Sequence, residues 1–134
     1  MKSERLDKLK NICESCYNCP LGKTRTKLVF GEGNPEPKFM SVAEAPGKEE
    51  DLSGRPFVGR SGKLYRKMLE AIGLDPEKDV FMSNILKCRP PKNRVPEQEE
   101  INECVKFLQK QIEIISPKQI PIMVLHVSQK QHND

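Results

Sequence analysis

Tryptophan is absent from this 134-residue chain, tyrosine occurs twice, and aromatic residues make up only 5% of it. Whatever core forms must therefore be mostly aliphatic. Also missing is any uninterrupted apolar stretch near the roughly 20 residues that a membrane-spanning helix needs, which excludes a membrane protein. No apolar signal region opens the chain: Met1-Lys2-Ser3-Glu4-Arg5 leads into a charged, helix-like segment, so an intracellular, cytoplasmic setting is expected. The sequence carries no internal repeat, yet its hydrophobic residues, 36% of the total, recur in periodic blocks. That recurrence argues against low-complexity disorder. The length suits one small domain, since single domains usually run to roughly 100–200 residues. Lys+Arg 23 against Asp+Glu 19 leaves a formal net charge of +4. Five cysteines in an intracellular chain read as metal ligands or free thiols before they read as disulfides.

Leu6, Leu9 and Ile12 fall at helical spacing behind Ser3, a candidate N-cap, and predict a helix over 3–13. Residues 28–33 look like a short strand that breaks at glycine, and Asn34-Pro35-Glu36-Pro37 like a loop. A second strand is expected over 38–44, stopped by Ala45-Pro46-Gly47. A polar loop over 48–60 then precedes a helix at 62–72, with Leu64, Met68, Leu69 and Ile72 on its apolar face. Gly73-Leu74-Asp75-Pro76 ends that helix. Residues 80–86 make the strongest strand, and 97–115 the strongest helix, with Ile101, Cys104, Val105, Leu108, Ile112 and Ile115 inward. Alternating strands and helices imply right-handed crossovers and a parallel sheet covered by helices. Ile120 to Leu125 reads as a third sheet strand, although Pro121 argues against a central position, and a polar tail follows.

Cys16-x2-Cys19 can direct two thiolates at one metal, with Cys88 after the strongest strand and Cys104 on the long helix. Four thiolates suit zinc or an iron–sulfur cluster, and spacing does not choose between them. Cys13-x2-Cys16 is equally well spaced, and Cys104 also suits a buried apolar position on its helix. Glu44-Ala45-Pro46-Gly47-Lys48-Glu49-Glu50-Asp51 leaves a strand at the end where open parallel sheets bind ligands. Its carboxylates suit a base or a cation-stabilising role, or simply a solvated acidic loop. Gly54 to Lys63 misses the P-loop pattern, because Arg60 stands where the lysine belongs and no strand precedes Gly54. What remains is a glycine-rich basic loop opening a helix, with Arg55, Arg60 and Lys63 placed for nucleic-acid phosphates. Lys87, Arg89, Lys92 and Arg94 form a second basic run, so a basic rim around an acidic centre is expected. Asn84, near the end of its strand, either satisfies a sheet end or reads a base edge.

Over roughly residues 14–118 these segments together resemble the family 4 (thermostable, iron–sulfur) uracil-DNA glycosylases. The resemblance is carried by the run from Cys16-Tyr17-Asn18-Cys19 through Ala43-Glu44-Ala45-Pro46-Gly47 to Gly62-Lys63, and by Ser83-Asn84-Ile85-Leu86-Lys87-Cys88-Arg89-Pro90-Pro91. It implies a three-layer αβα domain over 1–118, incomplete at its C-terminal end, with 119–134 as a divergent tail. It implies that Cys16, Cys19, Cys88 and Cys104 hold a 4Fe-4S cluster, with Cys13 the extra thiol. It implies a uracil pocket made by the backbone of Ala43, Glu44 and Ala45, the ring of Phe57 and the amide of Asn84. Glu50, or else Glu44, would position water or stabilise the sugar cation, while Arg55, Arg60, Lys63, Arg89 and Arg94 follow the DNA backbone.

The implied activity is base-excision repair of DNA damage: hydrolysis of the N-glycosidic bond of deoxyuridine, releasing uracil and leaving an abasic site. Uracil-containing DNA is the implied partner of a monomer, with a DNA polymerase or sliding clamp as a third party and the nucleoid as the place. The alternative is a non-catalytic iron–sulfur or zinc module that binds nucleic acid. Two departures stand out. The family usually has Gly at Ala43, and its members continue for roughly another 60–70 residues by domain-size scaling. That part carries a His-Pro motif whose context neither His126 nor His132 shares. After about Lys118 the chain is expected to be truncated or frameshifted.

Overall fold

The computed structural model describes residues 1–15 and 21–120. The expected strand at 120–125, apart from Ile120, and the polar tail lie outside the described residues, as do Cys16 and Cys19.

Among the described residues three strands form the sheet: β1 (Glu32–Gly33), β2 (Phe39–Ala43) and β3 (Val80–Asn84), in the order β1-β3-β2. β2 and β3 run parallel in a register from Phe39 opposite Val80 to Ala43 opposite Asn84. β1 lies antiparallel on the other edge of β3, so the sheet is mixed where the alternation of elements predicts a parallel one. Only two residues of the expected 28–33 strand pair in it, and Gly33 explains the tight fit. A Cβ there would stand 2.2 Å from the Val80 carbonyl oxygen, and the residue adopts φ 135°, open to glycine.

Five helices among the described residues accompany the sheet: α1 (Lys2–Glu14), α2 (Leu21–Thr24), α3 (Lys48–Ser53), α4 (Arg60–Ala71) and α5 (Gln98–Ile115), with a 3-10 turn at Pro91–Asn93. Met1, not Ser3, is the N-cap of α1. The expected polar loop at 48–60 contains α3. Its first turn carries Glu49, Glu50 and Asp51, which favour a helix N-terminus, and Gly54 ends it in the left-handed region.

Alternation along the strands separates two cores. Met40, Val42 and Phe81 face α1 and α5, meeting Leu6, Phe107, Leu108, Ile114 and Ile115. Ala43, Val80 and Met82 face α4, meeting Phe57, Tyr65 and Leu69. β2 passes to β3 through α4, and β3 passes through α5 to Gln119, whose carbonyl accepts the Met40 N–H on the open edge of β2 (3.1 Å). These crossovers run in opposite directions along the sheet, so a common hand requires helices on opposite faces. That gives three layers, αβα. No helix among the described residues is long and apolar enough to cross a membrane.

The face of α4 departs from the periodicity reading. Gly62, Tyr65 and Leu69 turn inward, whereas Leu64, Met68 and Ile72 are 60%, 57% and 73% exposed. The buried polar group decides it: the Tyr65 hydroxyl meets Ser41 Oγ of β2 at 2.5 Å, a bond available only from this rotation of the helix.

Truncating the α5 end of the larger core tests the layer assignment. Ile115→Ala should cost about 2–5 kcal/mol in a urea unfolding curve, whereas Ile72→Ala should leave stability within about 0.5 kcal/mol.

Candidate functional site

Because β2 and β3 are parallel, both release their chains at one end of the sheet, and the two motif-bearing loops start side by side there. The Ile85 and Leu86 N–H groups donate to the Ala43 and Glu44 carbonyls (2.9 and 3.0 Å), extending the pairing past the strands. Asn84, at the last position of β3, is 3% exposed, and its Nδ2 finds no acceptor among the described residues. A buried amide donor left unpaired costs about 1–3 kcal/mol, so a native fold keeps one where a ligand completes it.

Phe57 lies in the α4-side core with Ala43 and beside the Tyr65 ring, with 5.4 Å between centroids. Its φ of 57° is a left-handed conformation that costs a bulky residue about 1–3 kcal/mol. The neighbours enforce it. Arg66 donates from Nε to the Phe57 carbonyl (2.7 Å) and from Nη2 to the Pro56 carbonyl (2.9 Å). Gly62 presses from the helix, since a Cβ there would stand 2.3–2.6 Å from the Phe57 backbone. From the third side the Glu50 carboxylate accepts the Val58 and Gly59 N–H groups (3.0 and 2.7 Å) and the Gly47 N–H (3.0 Å).

The acidic run is therefore not a solvated loop. Glu49 is exposed, but Glu50 and Asp51 are buried, and Asp51 accepts the Thr26 N–H (2.8 Å). Glu44 is half-buried at the end of β2, beside the same loop.

The expected basic rim divides. Arg60 and Lys63 are exposed at the start of α4. Arg55 forms a bidentate pair with Glu32 and also reaches Glu77, and these carboxylates hold its guanidinium above the ordinary arginine range. Arg94 is bidentate to Glu100 at 2.8 and 2.6 Å, and Arg89 donates to Asn93 Oδ1 at 2.6 Å. The Arg94 hydrogen bond holds the Glu100 carboxyl below its usual range, against burial. Lys87 belongs to no rim. It is fully buried, and its ammonium donates to Ser83 Oγ (2.5 Å), the Asn84 carbonyl (2.8 Å) and Gln111 Oε1 (2.6 Å). Burial lowers its pKa to about 7, while Cys13 and Cys104 act to raise it. A lysine following an apolar strand and preceding a cysteine was the only sequence sign of this position.

Cys88 and Cys104 are buried neighbours, packed with Leu21 and Leu86. Their hydrogen bond and their burial push the Cys104 thiol far up. No three cysteine, histidine or acidic side chains among the described residues converge to hold a metal. Both flanks of residues 16–20 are nonetheless anchored here. Leu21 touches the pair's cluster, and Arg25 bridges from the Glu14 carbonyl (2.9 Å) to Cys88 Sγ (3.3 Å). Two buried thiols, a buried ammonium and a guanidinium fit a group of negative thiolates held at this place.

Two outcomes follow from this geometry. Gly62→Ala should cost about 1–3 kcal/mol by forcing the Phe57 turn aside, read as a lowered urea midpoint with unchanged slope. Glu100 has a depressed pKa, so its contribution is present above the ordinary carboxylate range and is lost as pH falls through the depressed value. Arg94→Ala should therefore destabilise the chain at neutral pH and lose that deficit under acid, measured by unfolding curves across the two ranges.

Residues 30–130 match the Uracil DNA glycosylase superfamily. The chain is 48% identical over 124 residues to the type-4 uracil-DNA glycosylase of Sulfurisphaera tokodaii, an alignment covering 92% of this chain and 56% of that protein. It is 49% identical over 117 residues to that of Archaeoglobus fulgidus, covering 87% and 58%. A more distant relative, a protein of Bacillus phage SP01 named DNA polymerase, is 33% identical over 91 residues, which are 68% of this chain and 10% of that one. The chain thus spans little more than half the length of its type-4 relatives. Its match across three quarters of its own residues, on an αβα frame whose two motif loops meet at Ala43 and Asn84, makes it a member of the uracil DNA glycosylase superfamily.

Proposed function

We propose that this chain serves DNA repair as a uracil-DNA glycosylase, hydrolysing the N-glycosidic bond of deoxyuridine and leaving an abasic site. The unpaired, buried amide of Asn84 carries the reading. Its Nδ2 donates to a uracil carbonyl while Oδ1 accepts the ring N–H, a pattern that cytosine, with its reversed edge, does not satisfy. Phe57 stacks on the extruded base, and the fixed turn beneath it spares the ordering cost when extrusion itself takes a few kcal/mol. The backbone of Ala43, Glu44 and Ala45 lines the remaining side.

Cleavage places positive charge on the sugar and negative charge on the departing base. Glu50, bound to three N–H groups, is held in place as a fixed carboxylate beside the turn. Glu44 at the strand end is the carboxylate proposed to order water. Arg60, Lys63 and Arg89 follow the DNA phosphates, and Arg55 and Arg94 brace the two loops from which they project. Cys16, Cys19, Cys88 and Cys104 hold a 4Fe-4S cluster, which supplies a structural anchor. Action as a monomer inside the cell, at the nucleoid, belongs to the same reading. Company with a DNA polymerase draws support from the likeness to the polymerase-named phage protein, and a sliding clamp is proposed beside it.

Metal-loaded chain should release free uracil from a single-uracil oligonucleotide, and Asn84→Ala should lower the rate by about 100-fold. Cys88→Ala should abolish visible iron–sulfur absorbance. DNA binding without release by the loaded chain would replace this reading with a non-catalytic nucleic-acid module, and zinc without iron after anaerobic preparation would remove the cluster.

A further inference from the structure

On the face of the sheet opposite α4, helices α1 and α5 pack together and leave a groove of about 1020 Å³ along their junction. The Lys2 ammonium donates to the Ile115 carbonyl (2.8 Å), so the start of α1 meets the end of α5 and the groove follows both helices. Its floor is apolar, with Leu9 and Ile12 from α1 and Phe107 and Ile114 from α5. Ile12 remains 64% exposed, one turn beyond Leu9. Full burial of an isoleucine gains about 1.5–3 kcal/mol, and that gain is still open here. The rim carries charge of one sign. Arg5 and Lys8 of α1 and Lys106 and Lys110 of α5 are exposed along it, and no carboxylate among the described residues lines the groove. Glu103 and Glu113 stand behind Lys106 and Lys110 at 3.7 and 3.6 Å. Exposed pairs of that kind contribute only about 0–1 kcal/mol, so the cations are available to a stronger partner.

We propose that this groove docks a short acidic amphipathic helix of a protein partner. The apolar stripe of that helix lies on Leu9, Ile12 and Phe107, and its carboxylates meet the four rim cations. From Arg5 to Ser15 the groove runs about 15 Å along α1, the length of about three helical turns. Charge and shape select this occupant over others. A nucleic-acid backbone matches the rim but offers nothing apolar to the floor. An anionic membrane is too flat to reach into a trough between two helices. A second copy of the chain would set the same cations against each other, because a twofold interface pairs a patch with itself. The groove lies on the α1 and α5 face, away from Phe57 on the α4 side, so the proposal is independent of the glycosylase reading.

The test titrates the full, metal-loaded chain into a fluorescent peptide of about 12 residues with leucines at helical spacing and glutamates flanking them. A second peptide carries lysine in place of every glutamate. By anisotropy the acidic peptide should bind with a Kd below about 100 μM, more weakly as salt rises, and the lysine peptide should not bind. Ile12→Glu, and separately the pair Lys8→Glu with Lys110→Glu, should each weaken binding about tenfold or more. All three positions are exposed, so both variants should keep the wild-type melting temperature, and if one does not fold the other decides. No binding of the acidic peptide, equal binding of both peptides, or binding that neither variant weakens overturns the proposal. So does a dimer in sedimentation that Ile12→Glu dissolves, which gives the groove to a second copy. Capture by phosphatidylserine vesicles or by a single-stranded oligonucleotide, lost in the double lysine variant while the acidic peptide fails to bind, overturns it as well. The peptide result stands whether or not the chain releases uracil.

Discussion

The parallel pairing of β2 with β3 is the constraint on which the site depends. Parallel strands cannot be joined by a hairpin, so the chain must cross over through α4, and both strand ends then open on one side. Ala43 and Asn84 become neighbours although 40 residues separate them in sequence. The 44–60 loop, the Phe57 turn within it and the 85–96 loop all hang from those two ends.

Such loops are long and contain several prolines and glycines, so they must be held by something other than ladder hydrogen bonds. Buried carboxylates do this. Glu50 gathers three N–H groups from two sides of its loop, Asp51 ties residue 26 to α3, and Glu100 joins α5 to the loop through Arg94 and the Glu97 N–H. Hydrogen bonds to charged groups contribute about 1.5–3 kcal/mol each, enough to offset the left-handed strain at Phe57. The anions are therefore spent as fasteners, and the cations Arg66 and Arg94 likewise.

β2 and β3 were legible as short apolar runs buried on both faces, and α5 because its buried residues recur at helical spacing, so that it begins within a residue of its expected start. The acidic run and the basic runs were not legible, since charge in a sequence says nothing of whether it faces water or a backbone N–H. Glu50 and Asp51 look no different from Glu49, which is exposed. The α4 face failed for a related reason: Leu64, Met68 and Ile72 recur at helical spacing as well as the true inner face does. The choice fell to one hydroxyl, Tyr65, needing Ser41 as a partner. The motifs that carried the family resemblance were legible as a set, because Asn84, Lys87 and Cys88 sit in one short segment whose spacing admits few alternatives.

That segment also brings the buried cysteines and the unpaired Asn84 amide to one end of the fold. After Asn84 the chain leaves the sheet, although the Ile85 and Leu86 N–H groups and the Lys87 carbonyl still bond to the neighbouring segments. A turn of five residues has little core of its own, and conformational entropy of about 1–2 kcal/mol per residue works against fixing it. Packing of Leu86 with Cys88, Cys104 and Leu21 fixes one end, and the Lys87 ammonium fixes the other through the Asn84 carbonyl. Cys88 lies four residues from Asn84, so packing at the buried cysteines holds the Asn84 amide through a single turn.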